Sequence, residues 1–186
     1  MDLTKAISAR RSIREFSNKS VHWDKVLEAI DAANQAPFAG NINNLKFVIV
    51  SEKEMINKIA EHCQQDWIAD AKHIAVVCST LKEIELQYND RGKIYSRQQA
   101  GAAIQNFLLK ITEMKLAACW IGAFSDESIK SDLRIPEEYS IEAVIPIGHP
   151  KNKSPKKIRK ASLESRIFWG RWKIDEKPML YKDPEA

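Results

Sequence analysis

The sequence predicts an α+β (mixed α/β) fold with about four strands and about five helices in a single domain spanning residues 1–186. Short apolar segments of strand length alternate with longer segments whose apolar residues recur every three or four positions. A chain of 186 residues can bury one full core, and 44% hydrophobic with 29% charged residues is typical of globular proteins.

The first half of the chain is predicted to begin with two helices. Asp2 can cap a helix that runs to about Arg10. A second helix should stop before Pro37, because proline disfavours helical geometry at the residue before it. The next predicted elements are a strand at 45–50, a helix over about 52–63 and a strand at 73–78. The strand at 73–78 is apolar on both faces, which is typical of a central strand.

The second half is predicted to contain the longest helix, over 98–115. Residues 80–95 are polar without a regular period, so we expect an irregular excursion over a pocket, lined by Tyr88 and Tyr95. The remaining predicted elements are a strand at 116–121, a helix capped by Ser125 that ends before Pro136, and a strand at 141–147. The aromatic segment at 167–172 belongs to an expected C-terminal extension over about 165–186, which should pack on a partner.

Composition disfavours several functional classes. Three scattered cysteines, Cys63, Cys78 and Cys119, form no CxxC pair, so we expect buried reduced thiols and no metal site. No apolar run reaches the roughly 18 residues of a membrane span, and the first residues lack a signal pattern, so a cytoplasmic location is expected. The net charge is +4, and six basic residues crowd into 151–160. That cluster lacks the interleaved aromatics of nucleic-acid binders, and we expect no nucleic acid or membrane partner.

A second basic cluster lies near the N-terminus, in the segment 10–16 (Arg-Arg-Ser-Ile-Arg-Glu-Phe), here called the arginine segment. Guanidinium groups match phosphate oxygens with paired donors, which indicates an anion site. A solvated helix end is the alternative for an isolated basic cluster. The sequence has no GxGxxG, Walker, HExxH or GxSxG motif, and His73 and His149 are expected to be structural. An enzyme of this kind would take its chemistry from a cofactor.

Four blocks together resemble the FMN-dependent nitroreductase family, in the same order and at similar spacing. They are 10–16, 36–41, 105–109 leading to 119–124, and 147–150, and the resemblance spans residues 3–172. It implies a central mixed sheet flanked by helices. It also implies a homodimer with FMN at the subunit interface and a C-terminal extension exchanged across the dimer.

The resemblance supplies the candidate cofactor-binding residues. They are Arg10, Arg11, Ser12, Arg14, Pro37, Phe38, Ala39, Asn41, Gln99, Trp120, Ile121, Gly122, Ala123, Lys157 and Arg159. The arginines and Ser12 would hold the phosphate and ribityl chain, completed by the basic pair near residue 158. The 37–41 loop would lie against the flavin of the partner subunit. The 121–123 segment, here called the amide turn, would face flavin N5 and O4 with its backbone N–H groups.

The implied activity is an NAD(P)H-dependent reduction of a small electron-poor acceptor such as a nitroaromatic, quinone or flavin. NADH or NADPH would deliver hydride to flavin N5 in a ping-pong exchange, with no catalytic side chain assigned. Phe38 stands where serine is common in the family, and Asn43-Asn44-Leu45 replaces a common Gln-Pro-Trp. The alternatives are a dehydrogenation or a reductive dehalogenation on the same flavin scaffold, or a non-enzymatic module that binds nucleic acid or anions.

Overall fold

One antiparallel sheet forms the centre of the computed structural model, which describes residues 1–152 and 161–172. Its strands are β1 (Leu45–Val50), β2 (His73–Thr80), β3 (Ala117–Ala118) and β4 (Tyr139–Gly148). They lie in the order β1-β2-β4-β3, and each neighbouring pair is antiparallel. A parallel bridge between Ser12 and Ala118 adds the arginine segment at the β3 edge. The predicted strand positions are confirmed, although β3 is shorter than expected.

Six α-helices surround this sheet in the described residues. They are α1 (Leu3–Ala9), α2 (Trp23–Asn34), α3 (Lys53–His62), α4 (Lys82–Tyr88), α5 (Arg91–Glu113) and α6 (Asp126–Leu133). The Asp2 carboxylate accepts a hydrogen bond from the backbone N–H of Lys5 at 2.8 Å, and α1 therefore starts where the sequence predicts. Short 3₁₀ turns occur at Ala39–Asn41, Asp66–Asp70 and Glu164–Arg166.

The prediction of an irregular excursion over 80–95 is wrong, because this interval is largely helical. It contains α4 and the first turn of α5, which starts seven residues before the apolar pattern indicates. Gly92 is buried where the two helices meet, and a Cβ there would come within 2.9 Å of the Glu85 backbone nitrogen. A glycine at such a contact lets two backbones approach closely, but it leaves no apolar period to detect.

The sheet is covered on both faces, as predicted for its central strand. On one face Val77, Ile145 and Phe107 belong to a core that also contains side chains of α2 and α5. On the other, Val76 and Val144 pack with side chains of α3 and α6. Alternate residues of β2 therefore pack into two separate cores, one on each face of the sheet. The sheet is thus a rigid support for the segments at its edges.

The three cysteines are free and buried, as predicted. Burial raises the pKa of Cys63 and of Cys78 to about 11, so both thiols stay protonated at neutral pH. Among the helices that the structure describes, none combines the length and hydrophobicity needed to cross a membrane.

The chain divides into two compact units, Met1–Pro155 and Lys156–Ala186. In the second unit, the rings of Phe168 and Trp172 lie 4.7 Å apart, and both side chains are exposed together with Leu163. The single domain, the extension over about 165–186 and its packing on a partner stay predictions. Lys157 and Arg159 lie outside the described residues.

Candidate functional site

The arginine segment is held between two parts of the sheet. The backbone N–H of Ile13 donates to the Ala118 carbonyl oxygen of β3 at 3.1 Å. Just beyond the segment, the N–H of Ser17 donates to the carbonyl oxygen of His149, which follows β4, at 2.8 Å. Backbone hydrogen bonds on both sides therefore fix the position of the arginines relative to the end of the sheet.

A close aromatic contact also locks the segment in place. Phe16 is 3% exposed, and a Cβ added to Gly148 would lie 2.8 Å from its Cδ1 atom. The Phe16 ring occupies the space that any larger residue at position 148 would need. Gly148 is thus part of the support of the site, which agrees with its place in the fourth block of the sequence.

Arg10, Ser12 and Arg14 lie around one buried thiol. Burial raises the pKa of Cys119, while the charge of Arg14, a hydrogen bond from Ser12 and the charge of Arg10 oppose that shift. All three side chains therefore lie close enough to influence the Cys119 thiol, which follows β3. Neither Arg10 nor Arg14 forms an ion pair with a carboxylate of the described residues. Their charge is uncompensated, which suits an anionic ligand.

The Arg11 side chain differs from those of Arg10 and Arg14, because it folds back on the end of α1. Its Nη1 donates to the carbonyl oxygens of Ser8 at 2.8 Å and Arg10 at 2.7 Å, where helical carbonyls lack intrahelical partners. Its Nε is buried and has no hydrogen-bond partner in the part of the chain that is described. Arg10 and Arg11 also line a cavity of about 240 Å³ that reaches Leu108 and Ile111 of α5.

The amide turn follows β3 and is pinned at its first residue. Ile121 and Val144 exchange two backbone hydrogen bonds, with N···O distances of 3.0 and 3.1 Å. Gly122 and Ala123 are exposed, and no described residue accepts a hydrogen bond from their N–H groups. A methyl group on Gly122 would meet no described atom within 4 Å. The turn thus presents donors on an open surface, and their expected contact with flavin N5 and O4 stays a prediction.

Trp120 immediately precedes this turn and is 40% exposed. The ring lies over α5, since a Cβ built on Gly101 would come within 3.9 Å of its Cη2 atom. The six-membered ring of the indole thus lies beside the helix, and a large part of the side chain is exposed.

The 37–41 loop lies after α2 and has a tight backbone. Gly40 and Asn41 both have left-handed conformations, with φ of 58° and 59°. A Cβ at Gly40 would also approach the Tyr88 hydroxyl to 2.7 Å, so this position is restricted by space as well as by φ. Phe38 is partly buried and packs on the core cluster that includes α5. Asn41 thus forms part of a tight turn, whereas its expected contact with a cofactor stays a prediction.

Gln99 anchors this loop from α5. Its Oε1 accepts a hydrogen bond from the Ala39 N–H at 3.1 Å, and its Nε2 donates to the Ile42 carbonyl oxygen at 3.1 Å and to Asn44 Oδ1 at 2.5 Å. Asn44 in turn donates to Ser96 Oγ at 2.8 Å. Gln99 is 4% exposed. Its carboxamide is engaged in protein contacts, whereas its expected contact with a cofactor stays a prediction.

The candidate residues of one chain therefore form two groups. Gln99 and Gly101 are two residues apart on α5, which turns them about 200° around the helix axis. The 37–41 loop is attached at Gln99, whereas Trp120 and the amide turn lie on the Gly101 side. The arginine segment belongs with the second group through its bond to β3.

Comparison with known proteins decides the family. The sequence matches the model of the Nitroreductase family over residues 7–73 and 61–149. The chain belongs to the nitroreductase family. The resemblance in the four blocks is confirmed, and so is the predicted class of fold.

Several relatives of this chain show how widely the similarity extends. A Methanothermobacter thermautotrophicus protein, assigned by name to the NADH dehydrogenase/NAD(P)H nitroreductases, is 32% identical over 81% of this chain and 78% of its own length. An FMN reductase [NAD(P)H] of Bacillus subtilis is 23% identical over 85% of this chain and 70% of its own length. A solved structure of a nitroreductase family protein from Clostridium novyi NT has 26% identity and a TM-score of 0.76, covering 94% of this chain and 96% of that one.

Sequence reasoning missed two residues that support the candidate site, because Asn44 and Ser96 complete the hydrogen-bond network of Gln99. Tyr88, which the sequence predicts to line a pocket, limits the space at Gly40. Asn44 comes directly before β1, where a polar residue is an ordinary turn former. Only its burial, at 3% exposed, shows that the side chain has an internal function.

Proposed function

We propose that this member of the nitroreductase family binds FMN and uses NADH or NADPH to reduce a small electron-poor acceptor in a ping-pong cycle. The observation that carries the proposal is the bond between Ile13 and Ala118, because it places the unpaired arginines next to the strand that leads into the amide turn. Anion-binding side chains and free backbone donors thus lie along one continuous stretch. When bound, FMN supplies the hydride chemistry, accepting two electrons from the nicotinamide and passing them to the acceptor.

The chain's own residues fit the two polar ends of this cofactor. Arg10 and Arg14 would hold the phosphate, since both guanidinium groups lack carboxylate partners among the described residues. The buried Nε of Arg11 is a further donor without a described acceptor. Gly122 and Ala123 would direct N–H groups at the edge of the ring system. Fixed donors of this kind stabilise negative charge that develops during a reduction.

The expected acceptor side lies close to two tyrosine rings. A cavity of about 210 Å³ is lined by Pro37, Ala39, Tyr95 and Gln98. Tyr88 and Tyr95 meet edge to face at 5.1 Å, and the Arg91 guanidinium carbon lies 5.6 Å from the Tyr95 ring centroid. These surfaces favour a flat, electron-poor ring such as a nitroaromatic or a quinone.

We further propose that the active form is a homodimer. One chain carries the arginine segment and the 37–41 loop on different sides of α5, so a second copy is needed to bring both groups to one cofactor. Exposed apolar residues recur four apart on α1, at Leu3 and Ile7, and on α2, at Trp23 and Leu27, each at least 45% exposed. Such a surface is unfavourable in water and typical of subunit interfaces.

The dimer can be tested with charge substitutions on this surface. We expect the unmodified chain to sediment as a dimer, and the double variant Ile7→Glu/Leu27→Glu to shift towards a monomer, because two buried carboxylates per chain would be desolvated. Leu86→Glu on α4, where the leucine is 81% exposed, is the control and should remain dimeric. A monomeric unmodified chain in analytical ultracentrifugation would contradict the proposal.

The activity itself is tested by spectroscopy and kinetics. The purified chain should be yellow, release FMN on denaturation and lose its flavin absorbance on anaerobic addition of NADH or NADPH. Initial rates with p-benzoquinone at several nicotinamide concentrations should give parallel double-reciprocal lines, as a ping-pong scheme requires. A colourless protein whose NAD(P)H oxidation does not respond to added FMN would overturn the assignment. Slow reduction by both nicotinamides, measured by stopped flow, would favour another flavin reaction on this scaffold.

A further inference from the structure

A second polar constellation lies where β1 ends and α3 is about to begin. Ser51 directly follows β1, and His73 is the first residue of β2. The Ser51 Oγ atom lies 2.7 Å from His73 Nδ1, and His73 Nε2 lies 2.8 Å from the Val21 carbonyl oxygen. His73 is only 8% exposed, whereas Ser51 is exposed. A serine, a histidine and a carbonyl group thus form one short chain of hydrogen bonds.

The partners of this imidazole fix its protons. A carbonyl oxygen can only accept, so in the neutral ring the hydrogen sits on Nε2 and is donated to Val21. Nδ1 then carries the lone pair, and the Ser51 hydroxyl must be the donor to it. The serine oxygen keeps its own lone pairs for an electrophile. This arrangement of nucleophile, base and orienting acceptor is the geometric requirement for an activated serine.

The serine opens onto a cavity of about 350 Å³ that also includes Asn18, Lys53, Asp70 and Lys72 in its lining. None of the candidate cofactor residues that the structure describes lines this cavity, which therefore differs from the part of the proposed flavin site within the described residues. Its two lysines outnumber its one aspartate. Lys72 forms no ion pair within the described residues, and its ammonium group can therefore attract an anionic group on a small molecule.

The start of α3 adds donors beside the serine. Glu52, the cap residue of this ten-residue helix, makes no side-chain hydrogen bond to the first turn. The N–H groups of that turn lack intrahelical acceptors, and the positive end of the helix dipole lies there. Donors in this position can stabilise the negative oxygen that forms when a hydroxyl attacks a carbonyl carbon.

We propose that Ser51 is a nucleophile that accepts the acyl group of a small activated carboxylic ester bound in this cavity. The bond from Ser51 Oγ to the acyl carbon forms, and the bond from that carbon to the leaving oxygen breaks. The hydroxyl proton passes to His73 Nδ1 and then to the leaving alcohol. Water releases the carboxylic acid in a second step that regenerates the hydroxyl. No electrons are transferred, so this reaction is independent of any flavin and of the proposed reductase activity.

The test uses the full purified chain and p-nitrophenyl acetate. We expect a rapid release of p-nitrophenol and a gain of one acetyl group per chain, which peptide mapping should place on Ser51. Ser51→Ala should abolish this adduct. His73→Gln can still donate to Val21 and accept from Ser51 but is not basic, and it should slow acetylation about 100-fold, the usual contribution of a general base.

Ser125→Ala is the matched control, because Ser125 also precedes a helix but its hydroxyl pairs with Ser128 Oγ at 2.7 Å and has no imidazole. It should react like the unmodified chain. Acetylation confined to Lys53, Lys72 or other lysines, or equal Ser51 labelling in the His73→Gln variant, would show that the hydroxyl only satisfies a buried histidine. If His73→Gln does not fold, the peptide map of the unmodified chain decides alone.

Discussion

The double variant Arg10→Ala/Arg14→Ala is expected to lose FMN while keeping its fold. Both side chains lack described carboxylate partners, and the contact of Arg10 with α1 is made by its backbone N–H, which donates to the Ala6 carbonyl oxygen. A hydrogen bond to a charged group contributes about 1.5 to 3 kcal/mol. Losing two such contacts should weaken FMN binding by about 100-fold to 10,000-fold, at about 1.4 kcal/mol for each factor of ten.

Flavin occupancy after gel filtration and the thermal midpoint by circular dichroism measure the two parts of this expectation. Lys5→Ala/Lys58→Ala is the control, since it removes the same charge from exposed sites that form only surface ion pairs. This control should stay yellow. Full flavin occupancy in the arginine variant would refute the phosphate role of the arginine segment.

Gln99→Glu should destabilise the protein more than its near-identical shape suggests. The Gln99 Nε2 donates to the Ile42 carbonyl oxygen and to Asn44 Oδ1. A carboxylate would direct a negative oxygen at two acceptors in a buried position. We expect the free energy of unfolding to fall by about 3 kcal/mol, the scale of a buried charge without a partner.

The loss of stability in the Gln99→Glu variant should increase with pH. Burial and the two facing oxygens would raise the pKa of the new carboxyl above its value in the unfolded chain. The protonated form can donate one hydrogen bond, so the variant should be least impaired at low pH and lose stability as pH rises through the raised pKa. Urea unfolding at pH 5 and pH 8 measures this. Gln98→Glu, the exposed neighbour on α5, is the control. Equal losses in both variants would contradict the anchoring role of Gln99.

The sequence predicts most elements of this fold because their buried faces are apolar and regular. β1 and β2 are examples, with large side chains alternating into two cores. The junction of α4 and α5 escaped prediction because its close contact is made by Gly92, a residue without a side chain. Hydrophobic periodicity detects helices through their buried apolar side chains. A helix contact made through glycine involves no side chain, so it produces no such pattern.

The candidate site likewise contains parts that the sequence predicts and parts that it does not. The arginine cluster is recognisable because its charges are local in sequence, and the amide turn because its residues belong to a block that resembles the family. The anchoring by Gln99 joins groups about sixty positions apart, from Ala39 to Gln99. No local pattern contains that pairing. The apolar spacing of α1 places Ala6 in the core, but it equally marks Leu3 and Ile7, which one chain leaves in solvent.

The placement of the two site groups on different sides of α5 separates two kinds of change. This 23-residue helix is built into the core through Phe107, so the two groups are attached to separate faces of one rigid element. Substitutions near Phe38 or Tyr95 can remodel what is reduced while the arginine segment stays as it is. Under the proposed function, proteins descended from such a chain can therefore change their substrates without changing the residues that bind FMN.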